Sequence, residues 1–249
     1  MPLGLALTAN ILHFCFLRMR GPLALERRAE WLQASCRRVM ISMGIRCCIE
    51  GSVPANGLVV ANHLSYLDIL IFGAIMPCFF VSKAEVRRWP YFGWAASTSG
   101  ALFLDRSKRS SASQVAQQIS ERLKLPVAVL LFPEGTSSDG SEVQRFHPAL
   151  FEPAAVSAAP VTAAAILYAI DGGVAERELC WFGDMLFLPH LWKALGTRGF
   201  AAEVHFGEPR IYSGRRAAAQ ATHDEVATMR ATTASHADPA SIPSQSRAD

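Results

Sequence analysis

Short apolar runs alternate with longer amphipathic stretches along most of this 249-residue chain. The stretches 26–43, 66–74 and 110–123 have the composition and apolar spacing of helices. The apolar runs are short, rich in β-branched or aromatic residues and bounded by turn formers, which predicts strands. Seven strands are predicted, at 46–50, 58–61, 79–82, 101–104, 127–132, 161–167 and 203–206. Strands that alternate with helices indicate an α/β fold around a largely buried sheet.

The N-terminal segment 2–17 is almost entirely apolar, and Arg18 and Arg20 follow it. It is shorter than the roughly 20 residues that span a bilayer, and its positive charge follows the apolar run, whereas a signal peptide has it before. We therefore expect a helix that lies in the membrane interface, with these arginines and the Arg27–Arg28 pair near acidic headgroups. The alternatives are a packed N-terminal helix or a start site that trims a transmembrane segment.

Composition supports a lipid partner and argues against nucleic acid. Hydrophobic residues make up 51% of the chain and charged residues only 18%, with a net charge of +3. So small a positive charge does not suit a nucleic-acid binder, but it is compatible with anionic lipid. The six cysteines have no disulfide or zinc spacing, which indicates a protein facing the cytoplasm. Three regions are predicted: a helical membrane-associated segment (1–44), the α/β domain (45–231) and a disordered tail (232–249).

A candidate catalytic pair follows the strand at 58–61, where His63 is separated from Asp68 by four residues. On one continuous helix the two side chains would be about 140° apart, so they meet only if His63 lies in the turn before the helix. A carboxylate on one imidazole nitrogen leaves the other free to take a proton from a hydroxyl. The alternative is a buried structural histidine.

Three further polar blocks adjoin predicted strands, in the segments GALFLDR (100–106), FPEGTSS (132–138) and APVTAAA (159–165). Each alone could be an ion pair at a strand end, a plain turn or an edge strand. Together with the histidine block, they predict a cleft along one edge of the sheet.

These four blocks resemble, in order, the four motifs of the 1-acyl-glycerol-3-phosphate acyltransferases, within the glycerolipid acyltransferase superfamily. The matching segments are NHLSYLD (62–68), GALFLDR, FPEGTSS and APVTAAA, and the segment 81–93 is similar to the family's link between the first two. The resemblance covers somewhat under half of the chain. It implies a mixed, mostly parallel sheet flanked by helices, as in glycerol-3-phosphate acyltransferase, with an N-terminal membrane-interfacial helical segment.

The resemblance also implies a role for each matching residue. His63 would be the general base for the acceptor hydroxyl, and Asp68 would hold it. The activated oxygen would attack the thioester of acyl-coenzyme A or acyl-carrier protein, with no acyl-enzyme, no other cofactor and no metal. Pro160 and Val161 would shape the acyl side of the cleft. The residues expected to bind substrate are Lys83 and Arg106, on the acceptor's phosphate, with Glu134, Gly135 and Thr136.

One departure from the family pattern concerns the acceptor. Ser137 stands where the third motif usually carries an arginine. We favour lysophosphatidate because Lys83 and Arg106 are present, with another lysophospholipid or a lyso-ornithine lipid as the alternative. A non-catalytic lipid-binding protein and a thioesterase are the other readings. The apolar segment 185–195 could lie at headgroup level or pack in the core, and we expect a membrane-associated protein on the cytoplasmic face.

Overall fold

The computed structural model describes residues 2–105, 109–169, 175–197 and 199–236. Helices and strands alternate through most of the chain. The strands are β1 (Arg46–Glu50), β2 (Leu58–Ala61), β3 (Cys78–Lys83), β4 (Leu102–Leu104), β5 (Ala128–Leu131), β6 (Val161–Ala169) and β7 (Ala201–Phe206). The α-helices are α1 (Leu3–Met19), α2 (Leu25–Met43), α3 (Leu67–Ile75), α4 (Phe92–Ser99), α5 (Arg109–Arg122), α6 (Glu152–Ser157), α7 (Phe187–Gly196) and α8 (Arg215–His236).

The seven strands form one sheet in the order β1-β7-β6-β2-β5-β3-β4. Every neighbouring pair is parallel except β6 and β7, which are antiparallel. The predicted mixed, mostly parallel sheet flanked by helices is therefore confirmed, and all seven predicted strands are present. Because β2, β3 and β5 are parallel, the loops that follow them meet at one edge of the sheet.

The sheet separates two hydrophobic layers, and successive residues of β2 face opposite sides. Val59 and Ala61 pack in the layer that contains residues of α2 and α3. Leu58 and Val60 pack with residues of α5, α6 and α8 on the other side. All four are fully buried, which explains why this strand reads as a continuous apolar run with no polar alternation.

The two N-terminal helices are joined to this body. Helix α2 contributes Trp31, Leu32 and Met40 to the α3-side layer, so it is part of the domain core. Helix α1 packs on α2 and leaves five large apolar side chains exposed: Leu5, Ile11, Leu12, Phe16 and Met19. None of the helices in the described ranges is both long and apolar enough to cross a bilayer. The association of residues 1–44 with a membrane stays a prediction.

The last helix runs past the predicted start of the tail at residue 232, because α8 ends at His236. The Thr232 hydroxyl donates to the Thr228 carbonyl at 3.0 Å, so bonding within the helix extends beyond the point where apolar periodicity stops. Residues 237–249 lie outside the described residues.

Candidate active site

His63 lies in the turn between β2 and α3, and its main chain is fixed on both sides. Its amide N–H donates to Glu134 Oε1 at 2.9 Å, and its carbonyl accepts the N–H of Ser138 at 2.9 Å. The preceding residue, Asn62, binds β6 through both ends of its amide, accepting from Ile166 N at 2.9 Å and donating to Ile166 O at 3.0 Å. The end of β2 is therefore tied to the third motif and to β6.

The structure brings His63 and Asp68 together, as their spacing requires for a turn followed by a helix. His63 Nδ1 lies 2.7 Å from Asp68 Oδ2. The same oxygen accepts the amide N–H groups of Leu64 at 2.7 Å and Ser65 at 3.1 Å. Asp68 is in the first turn of α3 and is fully buried. A carboxylate at Nδ1 places the ring proton there and leaves Nε2 as the basic nitrogen.

Tyr168 completes this pair, and the sequence gives no local signal for it. The Tyr168 hydroxyl donates to Asp68 Oδ1, the carboxylate oxygen that does not face His63. Tyr168 belongs to β6, 100 positions along the chain, and reaches Asp68 because β6 lies next to β2. Only the strand order could have predicted this contact.

The imidazole of His63 stacks on the ring of Phe132, which directly follows β5. Their centroids are 4.2 Å apart and the planes are 16° from parallel. The ring is thus held by Asp68 at one edge and by Phe132 on one face. His63 also lines a cavity of about 280 Å³ that lies between β3, β5 and helices α1–α4 and α7. The cavity lining is mostly apolar, which suits a hydrocarbon chain.

The residues of the third motif have separate positions. Gly135, with φ of +78°, and the buried Ser137 line the cavity, whereas Thr136 is exposed. The Ser137 hydroxyl donates to the carbonyl of Trp181, so it is used within the protein. Glu134 is buried behind the His63 main chain. Of the three substrate-binding residues predicted here, Gly135 is the one that lines the cavity.

Burial raises the pKa of Glu134 to about 8, so this carboxyl is mostly protonated at neutral pH. The native state then holds a proton that the unfolded chain releases above about pH 4.5, and the free energy of unfolding falls as pH rises towards 8. We expect Glu134→Gln, which has no ionisable group, to remove on the order of 2 kcal/mol of this decline between pH 5 and 8. Urea denaturation at several pH values measures it.

The matched control is Glu178→Gln, because Glu178 is an exposed carboxylate whose pKa is lowered by Lys193. It is already ionised across this range, so its replacement should leave the decline unchanged. Parallel curves for the wild type and Glu134→Gln would show that Glu134 ionises normally.

Of the two residues predicted to bind the acceptor's phosphate, Lys83 and Arg106, the structure describes Lys83. Lys83 is the last residue of β3 and lines the cavity that His63 lines. Arg106 lies outside the described residues. Leu104, the last residue of β4, pairs with Lys83, so the ends of these two strands lie side by side. Within the described ranges, no group of three His, Cys, Asp or Glu side chains is arranged to hold a metal.

The fourth motif does not line the cleft as expected. Pro160 and Val161 are at the start of β6, which is parallel to β2, whereas His63 follows the end of β2. Parallel strands place these two positions at opposite edges of the sheet. The Pro160 carbonyl accepts the Leu58 N–H at 2.9 Å, and Val161 packs in the layer containing Leu58. The far end of β6 reaches the site instead, through Ile166 and Tyr168.

The family model described as Acyltransferase matches residues 45–167. A lyso-ornithine lipid O-acyltransferase from Pseudomonas aeruginosa is 35% identical over 72% of this chain and 67% of that protein. The chain belongs to the acyltransferase family. A 1-acyl-sn-glycerol-3-phosphate acyltransferase from Neisseria gonorrhoeae is 30% identical over 61% of this chain and 60% of that protein.

The fold of this acyltransferase is also that of a solved relative. The crystal structure of the 1-acyl-sn-glycerophosphate acyltransferase from Thermotoga maritima matches with a TM-score of 0.66 and 18% identity, over 93% of this chain and 95% of that one. The family model and the named relatives confirm the family resemblance inferred from the four motifs. Acyltransferases of this family use an acyl donor and a lysolipid acceptor.

Proposed function

We propose that this acyltransferase moves a fatty acyl group from a thioester to the free hydroxyl of a lysolipid, with His63 as general base. The observation that carries the proposal is the buried Asp68 carboxylate on His63 Nδ1, beside a largely apolar cavity. This arrangement directs the basic nitrogen, Nε2, to the task of proton removal.

The reaction needs one base and no acyl-enzyme intermediate. Nε2 of His63 takes the hydroxyl proton as the acceptor oxygen attacks the thioester carbonyl. The C–S bond then breaks, and the imidazolium gives that proton to the leaving thiolate. Asp68 stabilises the imidazolium between the two steps. The donor is acyl-coenzyme A or acyl-carrier protein, a co-substrate, and no further cofactor is required.

The cavity is the proposed site of the acyl chain. Its lining includes Leu32 and Val39 of α2, Leu70 of α3 and Phe80 of β3. These side chains offer no charge, and a hydrocarbon chain gains about 0.8 kcal/mol for each methylene removed from water. Because His63 belongs to the same lining, we expect the thioester end of such a chain to lie beside the base.

A lyso-ornithine lipid is the acceptor we favour. The Ser137 side chain, where the family usually has arginine, donates to a main-chain carbonyl and supplies no cation for a phosphate. The Pseudomonas relative carries the name lyso-ornithine lipid O-acyltransferase. Lysophosphatidate is the second candidate, because Lys83 lines the cavity and Arg106 follows β4 in sequence.

An acceptor panel tests this assignment. Labelled acyl-coenzyme A and acyl-carrier protein are supplied with lyso-ornithine lipid, lysophosphatidate or lysophosphatidylethanolamine, and His63→Ala serves as the blank. We expect kcat/KM with the ornithine acceptor to be about tenfold or more above the others, the effect of about 1.4 kcal/mol. Label that enters phosphatidate preferentially would reassign the acceptor and keep the chemistry.

We also propose that the protein binds the membrane surface that holds its acceptor, on the cytoplasmic face. Leu3 and Leu7 of α1 and Leu191 of α7 line the cavity, while other apolar side chains of both helices are exposed. The exposed residues of α7 include Leu188 and Trp192. A cavity bordered by two such helices would be next to the lipid when they lie in the interface. The cytoplasmic face is supported by six unpaired cysteine thiols.

A further inference from the structure

Both oxygens of the Asp68 carboxylate are engaged, and by different kinds of donor. Oδ2 accepts from His63 Nδ1 and from the N–H groups of Leu64 and Ser65. Oδ1 accepts the hydroxyl of Tyr168. The carboxylate is thus held by its own turn on one side and by a distant strand on the other.

The position of the Tyr168 hydroxyl does not depend on the bond that it makes to Asp68. The Tyr168 main-chain N–H donates to Glu176 Oε1 at 2.8 Å. Its ring meets the ring of Phe200 edge-on, with centroids 5.3 Å apart and the planes inclined by 66°. Strand pairing with β7 places the residue as well. A phenylalanine at 168 would keep these contacts and lose only the hydroxyl.

We propose that Tyr168 is a positioning residue that sets the basicity of His63 through Asp68, an inference that rests on the proposed function. A donor on Oδ1 draws negative charge away from Oδ2, so Asp68 stabilises the imidazolium less. The hydroxyl also fixes the carboxylate plane, which keeps Oδ2 aimed at Nδ1. The bond therefore keeps Asp68 aimed at Nδ1 while limiting how far the carboxylate stabilises the imidazolium.

The hydroxyl remains a donor throughout the working range of pH. Burial and the neighbouring Asp68 charge raise the pKa of Tyr168 well above its ordinary value. Glu134 has a pKa raised to about 8 and affects only the alkaline side of a pH profile, and the Cys180 thiol, raised to about 12, stays neutral. Among the described residues, Glu176 and Arg230 also face this cluster, and the titratable side chains that share the cavity lining with His63 are Lys83, Tyr66, Tyr91 and Cys36.

The test is the pH dependence of kcat/KM for Tyr168→Phe. Without the hydroxyl, the acid limb is expected to move up by about one pH unit, with about a tenfold loss of kcat/KM in the acid limb. The KM values for donor and acceptor should change less than twofold, since Tyr168 is not one of the residues that line the cavity. Proton NMR of the His63 imidazole gives the same shift without relying on turnover.

Tyr212→Phe is the matched control, because Tyr212 has a buried hydroxyl in the other hydrophobic layer. The Tyr212→Phe substitution should leave the pH dependence of kcat/KM unchanged. Site-specific 3-fluorotyrosine at position 168 covers the case in which the phenylalanine variant fails to fold. Its hydroxyl is a stronger donor, so the acid limb should move down.

The possible outcomes separate the positioning role of Tyr168 from the role of His63 as general base. An unmoved acid limb in Tyr168→Phe or in the fluorotyrosine protein, with His63→Ala inactive, overturns the positioning role and leaves the base assignment intact. An active His63→Ala overturns the base assignment itself. A limb that moves in the expected directions supports both.

Discussion

His63→Ala is expected to lower kcat/KM for acyl transfer by about 10³-fold, because general-base catalysis contributes about 10²–10⁴-fold. Alanine cannot take the hydroxyl proton, and the buried Asp68 loses the imidazole that it orients. Folding should persist, since Asp68 keeps the Leu64, Ser65 and Tyr168 donors. The measurement is the transfer of the labelled acyl group from a thioester to the lysolipid, with circular dichroism and vesicle binding measured on the same preparation.

The control is His147→Ala, because His147 is exposed and does not line the cavity. It should retain near wild-type activity and fold. More than a tenth of wild-type turnover in His63→Ala would contradict the base assignment. Free fatty acid released by the wild type without any acceptor would indicate a thioesterase. Lipid binding with no turnover of any donor would indicate a binding protein.

The sequence predicts the centre of the sheet well because β2 and β5 are buried on both faces. Runs such as 58–61 and 127–132 are continuously apolar, and their strand character does not depend on which strand lies next to them. The His63–Asp68 contact is also local, so a turn followed by a helix is enough to predict it.

Contacts that depend on strand order could not be predicted in this way. The fourth motif begins a strand whereas the other three end strands, and in a parallel sheet this places Pro160 at the edge opposite His63. The same topology brings Tyr168 to Asp68. Helices α4, α6, α7 and α8 lie outside the stretches predicted as helical, and α6 and α7 each contain a proline within their first three residues.

The second large effect is expected at Arg230, which joins α8 to the back of the active site. Its guanidinium donates to the carbonyls of Ile166 at 2.6 Å and Gly140 at 2.7 Å, and to Glu176 Oε2 at 2.7 Å. Ile166 also binds Asn62, and Glu176 also holds the Tyr168 amide. One side chain therefore links the loop after the third motif, strand β6 and the support of the catalytic pair.

We expect Arg230→Ala to lower the free energy of unfolding by roughly 3 kcal/mol, because the Gly140 carbonyl and a largely buried carboxylate lose the Arg230 donor. The Ile166 carbonyl loses it too and keeps the bond from Asn62. Arg230→Lys should restore only part of the loss, since one ammonium group cannot span the planar fork. Urea denaturation measures both variants.

The matched control is Arg215→Ala, on the same helix. Arg215 pairs with Glu152 at 3.2 Å, but the two side chains are 48% and 49% exposed, against 11% and 21% for Arg230 and Glu176. An exposed pair contributes less than about 1 kcal/mol, so this variant should be close to wild type. Equal losses in Arg215→Ala and Arg230→Ala would mean that the three buried contacts of Arg230 add nothing beyond a surface ion pair. A decrease in the free energy of unfolding that is seen only in Arg230→Ala would show that the contacts of α8 behind the active site stabilise the folded protein.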